Sequence, residues 1–181
     1  EKQASCMVCQ KIHDYIWPHE KTHYRFHVSL FLRRKTLNLF RLGCFLLYFI
    51  PSTIYCWSTE GVSFIDHFFF LTNWGQVICM LYFLLAFITE LGVDPEQPPK
   101  HGFLWKFTHI LFEFAVAVEF TIALFFWAFL APPYYAAIKD DPDFVNIFMI
   151  NFLLHTITPL AIYLELAFNY VEFHWRHAYV F

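Results

Sequence analysis

Thr72 and His155 are the residues of this chain whose types and surroundings best suit chemistry. Each lies inside a long apolar run, FFFLTNWGQV (68–77) and NFLLHTITPL (151–160). Polar groups at membrane depth are costly to keep, and an ionisable one there points to function by default. A hydroxyl beside an imidazole makes a nucleophile and its general base, the pairing that acyl transfer needs. A buried acid that orients the imidazole and stabilises its charged form would complete a triad, and Glu119 is the candidate. Gln76, Asn73 and Asn151 carry the amides that would hold substrate or donate to a developing oxyanion.

The elements that position these residues follow from composition. Hydrophobic residues make up 59% of the 181 and charged residues 15%, with 25 Phe and a mean hydropathy of +0.46. Soluble domains carry about a quarter charged residues, so the chain reads as an integral membrane protein whose first partners are membrane lipids. No basic patch interleaved with aromatic residues points to nucleic acid. The net charge of −3 decides little, because in a membrane protein the placement of charge outweighs its sum. Five cysteines do not form a disulfide-framework pattern, and Cys44, Cys56 and Cys79 read as small packing residues. Residues 1–34 lack the apolar core of a secretory signal peptide.

A helix of roughly 20 apolar residues crosses the ~30 Å hydrocarbon core. Four segments qualify, at about 36–57, 64–89, 105–131 and 144–168, and lipid leaves helix as their only state. The expected fold is an all-α membrane bundle of four transmembrane helices within 36–181, preceded by a polar His/Cys-containing arm over 1–35. Pro51 is an expected kink. The stretches 91–102 and 132–143, rich in Pro and Asp, are expected turns. If the segments alternate, every Lys and Arg of the 12 except Lys139 falls on one side. That asymmetry places the N-terminus on the cytoplasmic or matrix side, with the organelle open.

With that topology the second and fourth spans run parallel. At about 1.5 Å per residue, Thr72 lies ~12 Å deep, His155 ~16 Å and Glu119 ~18 Å from the same face. Three helices thus bring useful groups to one level. Gln76 shares a helical face with Thr72, whereas Asn73 is turned away by about 100°. Asn151, His155 and Thr158 make a polar stripe of the kind that faces a bundle interior. The bland readings are a Thr72 bonded to its own i−4 carbonyl, a structural His155, and a Glu119 paired with His109 or Asn146.

Other constellations are weaker. Cys6 and Cys9 with His13 have the spacing of half a zinc site, but no second half follows, so no metal and no cofactor is expected. His23 and His27 suit a solvated interfacial helix. His109 and Glu113, at i and i+4, suit a buried pair.

The stretches FFFLTNWGQVICMLYFLLAF (68–87) and NFLLHTITPLAIYLELAFN (151–169), with Pro159 and Glu165 after His155, carry a resemblance. They resemble the androgen-induced protein/ADTRP-like family of membrane proteins, which includes the insect protein rolling stone. The resemblance covers about residues 36–181. It implies an intramembrane threonine hydrolase that cleaves fatty acid esters of hydroxy fatty acids, with Thr72 as nucleophile and His155 as general base. It also implies about six spans against the four found here, so the last two are expected either to lie beyond Phe181 or to be lost from a shortened scaffold. The alternative expectation is a non-catalytic structural subunit of a larger membrane complex.

Overall fold

The computed structural model describes residues 29, 31–59, 70–91 and 102–169. It is an all-α bundle of four helices long and apolar enough to cross a membrane: α1 (Arg34–Ser58), α2 (Leu71–Leu91), α3 (Phe103–Ile138) and α4 (Phe144–Phe168). The N-terminal arm with Cys6, Cys9, His13, His23 and His27 lies outside the described residues, as does the expected start of the second span before Phe70. Among the described residues no group of three or more His, Cys, Asp or Glu is placed to hold a metal ion. The third helix runs past its expected end near 131, continuing through Pro132 and Pro133 to Ile138.

Proline explains that continuation. A proline lacks the N–H that closes a helical turn, and its ring crowds the carbonyl four residues back. Three helices answer with a wider π turn directly ahead of the proline. Cys44–Phe49 precedes Pro51, Phe126–Leu130 precedes Pro132 and Pro133, and Leu153–Ile157 precedes Pro159. Each π segment contains the carbonyl that its proline crowds, so the helix absorbs the defect instead of ending.

Helices α2 and α3 share the largest contact, and α4 packs on α3. Small residues such as Cys79 and Ala86 on α2, Ala115 on α3 and Ala161 on α4 sit in the buried core with Phe83 and Phe112. Small side chains let membrane helices approach closely where lipid supplies no hydrophobic drive. Gly75 shows this most sharply, because a Cβ there would overlap the Glu119 carboxylate and come within 2.9 Å of Ile122 Cδ1.

The end of the bundle where α1 begins is tied by charge. Arg41 is fully buried and donates to Glu165 Oε1 through Nε at 2.8 Å and a terminal nitrogen at 2.6 Å. The Tyr82 hydroxyl and the Asn169 amide donate to the same oxygen, at 2.8 and 3.1 Å. Glu90 lies 3.9 Å from Arg41 and also pairs with Arg34. Two cations and two carboxylates thus join α1, α2 and α4, and each buried charge faces an opposite one, as burial demands.

Candidate active site

At the opposite end, which carries Lys139, a cavity of about 470 Å³ lies between α2, α3 and α4. Its polar lining is Thr72 and Asn73 from α2, Tyr134 from α3, and Asn151 and His155 from α4. Phe126, Ile150 and Leu154 form apolar wall. Rim residues Phe70, Leu130 and Tyr134 are 55%, 57% and 42% exposed, so the cavity opens on the outer surface of the bundle. A volume of this size falls within the ~300–1,000 Å³ of ordinary small-molecule sites.

Thr72 stands in the first turn of α2, at the mouth of the cavity. Its hydroxyl makes no hydrogen bond among the described residues, and none joins it to His155. Three other threonines do what a membrane helix ordinarily asks of them. Thr89, Thr108 and Thr121 each donate to the carbonyl four residues back, at 2.7, 2.8 and 2.9 Å. The carbonyl that Thr72 would use belongs to Phe68, outside the described residues.

His155 is held from two directions. Its ring lies flat on Phe126, with centroids 3.6 Å apart and planes 4° apart. Its carbonyl, deprived of a helical partner by Pro159, accepts the Trp127 indole N–H at 3.0 Å. Nearby, the Leu153 carbonyl accepts the Tyr48 hydroxyl at 2.7 Å and Thr158 Oγ1 at 3.2 Å. The backbone that carries the imidazole is therefore pinned to α3 and α1. The side chain is 6% exposed, and its buried Nδ1 has no hydrogen-bond partner among the described residues.

The remaining residues divide. Asn73 and Asn151 line the cavity, with the Asn151 amide donating to Ile147 O at 2.9 Å. Gln76 turns to α1 and donates to Ser52 Oγ at 2.9 Å, so it does not line the cavity. Glu119 lies outside the lining as well. It is 1% exposed against Gly75 and Ile122, with Cys79 as a polar neighbour, and neither oxygen makes a hydrogen bond of normal geometry. His109 does not meet Glu119, because it pairs with Glu113 at 3.1 Å.

Phe126, Trp127 and Tyr134 escaped the sequence reading. Pro159 was the available signal: a proline four residues after His155 leaves the His155 carbonyl needing an outside donor. In comparisons with family models, curated proteins and solved structures, none matches this chain.

Proposed function

We propose that the chain is an intramembrane hydrolase of lipid esters that works through Thr72 and His155. The observation that carries this reading is their presence on the wall of one cavity, whereas Thr89, Thr108 and Thr121 bond their own helices. Esters of hydroxy fatty acids, as the substrate class, come from the sequence resemblance alone. The cavity opens sideways between helices, so an acyl chain would reach it laterally from the bilayer.

His155 takes the proton of the Thr72 hydroxyl as its oxygen attacks the ester carbonyl. The alcohol leaves with that proton, and the acyl group stays on Thr72. Water, deprotonated by His155, then releases the acid and regenerates the hydroxyl. Asn73 is the amide placed to donate to the oxyanion, a contact worth about 3 kcal/mol when well aimed. Glu119 takes no step in this scheme. The flat contact with Phe126 and the Trp127 bond to the backbone fix the imidazole instead.

The test is hydrolysis of a fluorogenic acyl ester by the purified full chain. Thr72→Ala and His155→Ala should each abolish turnover while leaving membrane insertion intact. Unchanged turnover in either variant removes the proposal. Absent turnover in the native chain, with co-purification in a stable complex, assigns it as a structural subunit.

A further inference from the structure

The charge around the cavity separates lipid esters that differ only in their head. None of the described residues lining it is Lys or Arg. Its polar groups are one threonine hydroxyl, two carboxamides, a tyrosine and the imidazole that the proposed reaction needs in its neutral form. The Asn151 amide uses one of its two N–H donors on Ile147 O and, like the other polar groups here, brings no charge.

The described turn at this end has the same sign: between α3 and α4, Asp140, Asp141 and Asp143 stand exposed against Lys139 alone. Lys139 is exposed beyond the end of α3 and does not line the cavity. A phosphate or carboxylate drawn into this space would lose its water, find no opposite charge, and face a negative surface. An uncharged ester loses little in the same move and gains apolar contact with Phe126, Ile150 and Leu154.

We infer that the cavity selects uncharged lipid esters, of the acylglycerol or wax-ester kind, over esters that carry a phosphate or a free carboxylate. This rests on the reading of the cavity as an ester-binding site. It departs from the substrate implied by the resemblance, since an ester of a hydroxy fatty acid keeps a free carboxylate.

Binding is measured on the full-length Thr72→Ala chain, which removes turnover from the readout. Native mass spectrometry in detergent micelles compares dioleoylglycerol, dioleoylphosphatidate and the oleate ester of hydroxystearic acid. Dioleoylglycerol should bind about tenfold more tightly than either anion, as expected when like charge meets like. Tyr134→Lys, which sets a cation on the rim, should bring the anions to within about threefold of it. Equal or tighter binding of an anion to the Thr72→Ala chain overturns the inference, and so does retention of none of the three. Neutral-selective binding with no turnover by the native chain sinks the hydrolase and leaves the selectivity standing. Turnover of an anionic ester with equal binding does the reverse.

Discussion

The two ends of this bundle use buried polar groups in opposite ways. Where α1 begins, Arg34, Arg41, Glu90 and Glu165 lie against one another, with Tyr82 and Asn169 donating to the same carboxylate as Arg41. Where α4 begins, Thr72, Asn73, Asn151 and His155 face a space instead of each other. Polar groups that hold helices together are bonded across spans, because an unpaired one in lipid is expensive. A hydroxyl and an imidazole on the wall of a void, the imidazole with its Nδ1 unbonded among the described residues, need a different explanation, and a ligand supplies it.

The comparison breaks most visibly at the cavity. Removing Thr72 or His155 should lower ester turnover by about 10³-fold or more, since a nucleophile and its base act as a unit. Thermal unfolding in detergent should hardly move for Thr72→Ala, whereas His155→Ala also loses the ring contact with Phe126 and should lower the melting point. The paired end should behave in reverse. Arg41→Ala should cost about 3–5 kcal/mol of stability by stranding Glu165, whereas Arg41→Met with Glu165→Leu should recover much of it. Denaturant titration with detergent distinguishes the two outcomes.

Smaller effects sharpen the boundary between the two ends. Trp127→Phe leaves the His155 carbonyl without its donor, at about 1–3 kcal/mol, and should slow turnover by moving the imidazole. Pro159→Ala restores an N–H four residues from that carbonyl, so Trp127→Phe should cost less in its presence. A double-mutant cycle on turnover and melting reads this coupling. Gly75→Ala forces a Cβ into the Glu119 carboxylate and should destabilise by about 1–3 kcal/mol, measured in the same titration. Ser52→Ala leaves the Gln76 amide seeking a new partner and should cost about 1 kcal/mol with turnover unchanged.

Hydropathy made the spans legible, because crossing length is a property of sequence alone. Depth along the helix likewise led to Thr72 and His155, which do meet one cavity. Depth gives a level but no direction around the axis, and Glu119, at that level, lies outside the cavity lining. Gln76 shares a helical face with Thr72, yet one turn deeper that face meets Ser52 of α1 and the cavity has already closed. The pairing of Arg41 with Glu165 was hidden for another reason. Arg41 reads as one more basic residue flanking a span until α4 is seen to bring a carboxylate beside it. The π turns at Phe126–Leu130 and Leu153–Ile157 depend on how a helix accommodates proline, which hydropathy does not record.

A fluorophosphonate that phosphonylates activated hydroxyls tests the central claim most directly. Mapped by peptide mass spectrometry on the purified chain, the adduct should sit on Thr72 and disappear in His155→Ala. Labelling of Thr72 that persists without His155, or a native chain in which Thr72 stays unmodified, would contradict the account.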